Sequence, residues 1–122
     1  MLKIKRAYEK KEASDGKRIL IDRLWPRGVT KADAGIDEWL KDLGPSTELR
    51  KWFAHDPAKW AEFKKKYLNE LASIDKKKLL EQIVSEAGHG SVTLIYSARD
   101  SEHSDVKVLE ELISEMMRKG HA

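Results

Sequence analysis

Ile19-Leu20-Ile21-Asp22-Arg23-Leu24-Trp25-Pro26-Arg27-Gly28 is the stretch on which the reading of this chain turns. Its first half is continuously apolar, as in a strand covered on both faces. Its second half stops that strand. Pro26 has no backbone donor and holds Trp25 extended, so regular pairing ends there. Asp22, Arg23 and Arg27 stand at the stop, where a simple packing pattern gives them no role. In open α/β sheets, ligands bind outside the carboxyl ends of the strands. The stretch is therefore a fold signal and a candidate site at once.

Working outward, Ser91 to Ser97 reads as a second strand, rich in β-branched, aliphatic and aromatic residues. Ala98-Arg99-Asp100 follows it at once. Leu2 to Tyr8 alternates loosely and reads as a further strand. Lys10 to Gly16 is polar and ends in a Ser-Asp-Gly turn. Between the Ile19 and Ser91 strands the pattern is helical. Ile36, Trp39, Leu40 and Leu43 have helix spacing, and Gly44-Pro45 stops that segment. Ser46 suits the cap of a short helix carrying Leu49, Trp52 and Phe53. Asp56 and Pro57 begin a third, with Trp60, Phe63, Tyr67 and Leu71 on its apolar face. Asp75 and Gly88 bracket a fourth. A last helix carries Val106, Leu109, Leu112, Ile113 and Met116, and Gly120 ends it.

That order is the order of an α/β layer structure with a short, mostly parallel sheet and packed helices. Parallel neighbours need a long crossover, and the helical region supplies one. Both strand exits then lie on one edge of the sheet. With 122 residues, no repeat and no linker, the chain reads as a single domain over 1–122.

Composition narrows the function classes. The absence of cysteine excludes disulfides, thiolate catalysis and cysteine-held zinc. No apolar run approaches the roughly 20 residues of a membrane span, and no secretory leader is visible, so a cytoplasmic protein without a membrane partner is expected. Charged residues make up 37% of the chain, and the net charge is only +3. The cations are concentrated in the first quarter, which suits phosphate-bearing ligands or nucleic acid, although an ordinary solvated surface explains the same pattern. No dinucleotide or nucleoside-triphosphate glycine fingerprint is present, and the sequence leaves any cofactor unknown. The histidines lack two-ligand spacing, so no metal site is expected. His121 falls in a terminal tail.

The chemistry-bearing residues gather at the two exits. Arg23, Arg27 and Arg99 offer the planar donor forks that suit phosphate or carboxylate, with Ser97 and Trp25 as further substrate contacts. Asp22, Asp100 and His103 are the candidates for proton transfer or orientation. The plainer reading is that these groups pair internally or cap the last helix. A nucleic-acid-binding module and a partner-docking protein remain as alternative functions.

Three further runs accompany Asp22-Arg23-Leu24-Trp25-Pro26-Arg27-Gly28. They are Asp37-Glu38-Trp39, Leu49-Arg50-Lys51-Trp52-Phe53-Ala54-His55-Asp56-Pro57, and Tyr96-Ser97-Ala98-Arg99-Asp100 with His103. Together they closely resemble the YeaO-like branch of domain-of-unknown-function family 488, over nearly the whole chain. The resemblance implies a compact Rossmann-like layer fold whose signature positions are the two strand exits. The broader family often carries a cysteine in the second signature; this chain has none, so thiol chemistry does not carry over. Many relatives read Glu-His-Asn after Ala-Arg-Asp, whereas here Ser104 follows Glu102-His103. Some relatives carry labels suggesting transcriptional regulation, but no basic helix-turn-helix is visible here.

Overall fold

The computed structural model describes residues 1–120; His121 lies outside them. The fold is α/β, with four parallel strands and five α-helices in one small domain. The strands are β1 (Leu2–Arg6), β2 (Lys17–Leu20), β3 (Glu38–Trp39) and β4 (Val92–Tyr96), in the order β1-β4-β2-β3. The helices are α1 (Lys31–Ala34), α2 (Thr47–Phe53), α3 (Trp60–Leu71), α4 (Ile74–His89) and α5 (Asp105–Gly120).

Register decides which side chains meet. Leu2 pairs with Val92, Ile4 with Leu94, and Ile19 also with Leu94, so these residues share one face. Against that face pack the apolar stripes of α3, α4 and α5, represented by Phe63, Tyr67, Leu80, Ile83, Leu109 and Ile113. This is the main core. Ile19 and Leu20 point to opposite faces, and both are fully buried. That explains why the β2 sequence is continuously apolar.

The second face is covered by irregular chain rather than by long helices. Ala7, Trp25 and Ile36 pack there on Leu20 and Ile95. Beside this small cluster lies a buried polar network. Arg18, 0% exposed, places Nη1 2.6 Å from Asp15 Oδ2, and its Nε and Nη2 donate to the Ala34 carbonyl. Lys5 Nζ reaches both Asp15 oxygens at 3.1 and 3.2 Å, and Thr93 Oγ1 donates to the Asp15 carbonyl. Burial alone would raise the Asp15 carboxyl. The Glu12 amide, Lys5 and Arg18 outweigh it and hold the group down at about 2. Gly16 makes the turn into β2 possible. Its φ is 64°, and a Cβ there would stand 2.2 Å from the Ser91 carbonyl oxygen.

The structure corrects several sequence expectations. The segment around Ile36 to Leu43 is an edge strand, β3, followed by a short 3₁₀ turn over Lys41–Leu43. Its apolar residues mimic helix spacing, but Asp37 N–H donates to the Arg18 carbonyl and Leu40 N–H to the Leu20 carbonyl, which extends the sheet. The strand expected to run from Arg18 to Leu24 ends at Leu20 as regular structure. Ser73, rather than Asp75, caps α4, and Gly88 lies within that helix. Ser46 and Asp56 do cap, accepting from Leu49 N–H and Ala58 N–H. Among the described residues no helix is long and apolar enough to cross a membrane.

Candidate functional site

β2 and β4 run side by side until Ile21 N–H donates to the Ile95 carbonyl at 3.1 Å. The two chains then part and are stitched together by one side chain. Asp22 Oδ2 accepts from Ser97 N–H at 2.9 Å and from Ser97 Oγ at 2.8 Å. The two exits singled out in the sequence are thus in direct contact. Over them lies a pocket of about 1070 Å³. The β2 exit contributes Asp22 to Arg27, and the β4 exit contributes Ser97 to Asp100. Arg6 and Tyr8 come from the end of β1, Arg50, Lys51, Phe53 and His55 from α2 and its end, and Ser104 and Asp105 from the start of α5.

Local structure fixes each contributor. The Trp25 indole N–H donates to the Val29 carbonyl at 2.6 Å and closes the Trp-Pro turn. Trp39 packs edge-on against Trp25, and its own indole N–H donates to the Asp22 carbonyl. Ser46 caps α2 and is itself held by Glu70 through Oγ at 2.7 Å, which sets the helix that carries Arg50. At the other end of α2, Ala54 and His55 take φ of 48° and 56°. Two successive left-handed residues without glycine are strained, and here the strain sits at the pocket wall.

The arginines divide into two groups. Arg6 donates to the carbonyls of Ser97 and Ala98, and Arg23 to those of Gly44 and Pro45. Both therefore clamp backbone, and Arg23 is a scaffold as well as a wall residue. Arg27 and Arg99 are exposed, and neither guanidinium has a hydrogen-bond or salt-bridge partner among the described residues. Arg50 goes further: its Nε is buried and has no partner. A buried donor without an acceptor is rare in a native fold and calls for a reason.

Facing these cations is a pair of carboxyls. Asp22 and Asp105 both line the pocket and lie close enough for each to perturb the titration of the other. Burial pushes Asp105 well above the usual carboxylate range, and the Asp22 charge pushes it further. Burial also raises Asp22, but the Ser97 donors and the Arg50 charge draw it back. Both carboxyls are therefore raised, Asp105 the further of the two. Tyr67, packed beneath, donates its hydroxyl to the Leu43 carbonyl. Burial and the nearby Asp105 and Asp22 charges push it well above its ordinary value, so it acts as a fixed donor.

His103 stands apart. It is absent from the pocket wall; its Nδ1 lies 2.8 Å from Asp100 Oδ2 and its ring sits edge-on to Trp60. Asp100 lines the pocket but also caps the short turn Ser101–His103, accepting from the amides of Glu102 and His103. The hydrogen bond from His103 holds Asp100 below its ordinary value. The structure therefore gathers Asp22, Arg23, Trp25, Arg27, Ser97, Arg99 and Asp100, and leaves His103 outside. Ser97 Oγ is bonded to a carboxylate with no histidine in the pair, which is not the arrangement of an activated nucleophile.

Sequence reading missed Arg6, Arg50, His55 and Asp105. Arg50 and His55 belong to the Leu49–Pro57 run that carries the family resemblance, which was the available signal. Asp105 looks like an ordinary first-turn acid, and only its contact with Asp22 marks it out.

Comparison with known proteins agrees with the resemblance. A family model described as the inactive DUF488-N3 subclade matches residues 1–122. The uncharacterized protein YeaO of Escherichia coli strain K12 is 42% identical over 110 residues, covering 90% of this chain and 94% of that protein. The uncharacterized protein Mb3100c of Mycobacterium bovis is 34% identical over 113 residues, covering 93% of each chain. The uncharacterized protein Rv3073c of Mycobacterium tuberculosis H37Rv matches to the same extent. No solved structure gives a significant match.

Proposed function

We propose that this chain, which belongs to the inactive DUF488-N3 subclade, binds an anionic small molecule in the pocket at the carboxyl edge of its sheet and does so without turning it over. The ligand class is a phosphate- or carboxylate-bearing metabolite. One observation carries the reading. Arg27, Arg50 and Arg99 line a single pocket, and none of their guanidinium groups has a hydrogen-bond or salt-bridge partner among the described residues. Guanidinium forks left unpaired beside a cavity are suited to an oxyanion.

Two points favour binding over catalysis. The family description carries the word inactive. The Ser97 hydroxyl at the β4 exit is held by Asp22, while His103 lies outside the pocket wall. The basic N-terminal segment favours the pocket over nucleic acid as the site of anion contact. Lys5, Lys17 and Arg18 are consumed in internal ion pairs, and Arg6 clamps carbonyls.

The test is calorimetry and thermal unfolding with inorganic phosphate, pyrophosphate and citrate at millimolar concentration. Binding to the folded state raises the midpoint with the logarithm of one plus the ratio of ligand concentration to Kd. Arg27→Ala combined with Arg99→Ala should weaken binding at least tenfold while the unliganded midpoint stays within a few degrees. A flat response to all three anions by the unaltered protein overturns the proposal.

A further inference from the structure

The apolar part of the pocket wall says more about the ligand than that it is an anion. This inference rests on the anion-binding reading and narrows it. Two of the large apolar side chains that the fold leaves in solvent, Tyr8 at 50% exposed and Leu24 at 62%, line this one pocket. Exposed apolar residues scattered singly are ordinary, but two of them at a cavity beside unpaired guanidinium groups mark a binding surface. The volume agrees. About 1070 Å³ is room for a whole organic molecule rather than for an isolated oxyanion.

Neither side chain is exposed because its segment is loose. Before Leu24, the Arg23 guanidinium donates to the Gly44 and Pro45 carbonyls; after it, the Trp25 indole donates to the Val29 carbonyl. The turn is pinned on both sides, and Leu24 between them is held out at the wall. Tyr8 is fixed in the same manner. Its hydroxyl donates to the Arg27 carbonyl at 3.2 Å. The Arg6 guanidinium, itself anchored on the Ser97 and Ala98 carbonyls, stands 4.9 Å from the Tyr8 ring centroid. A ring held by its tip and by a cation, with half its surface still in solvent, is a preorganised platform. It loses little freedom when a ligand lies on it.

The chemistry of the wall selects a flat ring over a saturated body. Tyr8 offers an aromatic face for stacking. Six cationic side chains line the same pocket. The negative face of an aromatic ring is attracted to such cations, and a saturated ring of equal size gains only from area. We propose that the ligand is an aromatic oxyanion, with a flat ring laid against Tyr8 and Leu24 and a phosphate or carboxylate held by Arg27, Arg50 and Arg99. Tyr8 and Leu24 are then specificity residues.

The experiment is calorimetry with two matched pairs of ligands, phenyl phosphate against cyclohexyl phosphate and benzoate against cyclohexanecarboxylate. Inorganic phosphate is the further probe. At about pH 8 both organic phosphates are dianions, so charge is equal within each pair. The aromatic member should bind about threefold or more tightly than its saturated partner. The pair that binds more tightly assigns the anion as phosphate or carboxylate. Tyr8→Leu keeps an apolar side chain but removes the ring, and should bring the ratio within a pair close to one. Tyr8→Phe keeps the ring and should keep the ratio. The comparison in the unaltered protein needs no variant to fold. Equal affinity within both pairs, or binding of inorganic phosphate alone, overturns the aromatic inference and leaves the anion site standing. A ratio unchanged in Tyr8→Leu overturns the role of Tyr8. Failure of all five probes to bind overturns the anion reading and this one with it.

Discussion

Two polar clusters of this protein use the same residue types to opposite ends. On the face of the sheet without long helices, Asp15 meets Arg18 and Lys5, and every strong donor has an acceptor. At the carboxyl edge, Asp22 meets Asp105 and faces Arg50, whose Nε has no acceptor. The first cluster holds its carboxyl at about 2; the second pushes Asp105 far the other way. A closed network of this kind is a structural fastener. An unbalanced one, opening on a cavity, costs stability that its surroundings must supply, as functional sites do.

The sharpest way to break this comparison is Arg18→Ala. It would leave Asp15 buried with one partner fewer, and loss of one member of a buried pair costs about 3–5 kcal/mol. Urea unfolding should show it, and a loss below about 1 kcal/mol would mean that the cluster is not a fastener. Next in size is the acid response. Asp15 titrates lower in the folded chain than its unfolded value of about 3.9. Its contribution, roughly 2–3 kcal/mol by linkage, is complete above about pH 4 and disappears as pH falls towards about 2. Stability measured across that window in Asp15→Asn should lack this slope.

Asp105 has the opposite sign. Its folded value is raised, so its cost begins as pH rises above the unfolded carboxylate value and grows towards the raised folded one. Asp105→Asn should therefore stabilise the protein at pH 7 and have little effect near pH 4, read as the shift of the unfolding midpoint at each pH. A loss of stability at pH 7 would place Asp105 among the fasteners. The smallest effect belongs to Arg27→Ala. An exposed side chain without partners should change stability by no more than about 0.5 kcal/mol. A larger loss would show that Arg27 is structural.

The legibility of the two clusters differs for a physical reason. The strand exits could be read because Pro26 and the charged residues after Ile21 break an apolar run locally. Asp22, Arg27, Ser97 and Arg99 were found in this way, and they do share a pocket. The Asp15–Arg18 fastener was invisible, since both residues look like members of a polar turn and a strand edge. Arg50 is marked only by the run that carries the family resemblance, and nothing within a few residues of Asp105 signals a partner. The β3 edge strand was misread as helix because four apolar residues matched a 3.6-residue period. Its hydrogen bonds to β2 come from the tertiary context, which overrides such short patterns.

By itself, the sequence determined the layer class with a mostly parallel sheet, the absence of thiol chemistry and the edge on which to look for a site. These follow from periodicity and from the local chemistry of proline, caps and charge. Only the tertiary structure decided which guanidinium groups are spent on carbonyls and which are left unpaired among the described residues, and that two aspartates far apart in the chain meet at one pocket. Those are properties of distance and burial between residues far apart in the chain, and no local pattern encodes them.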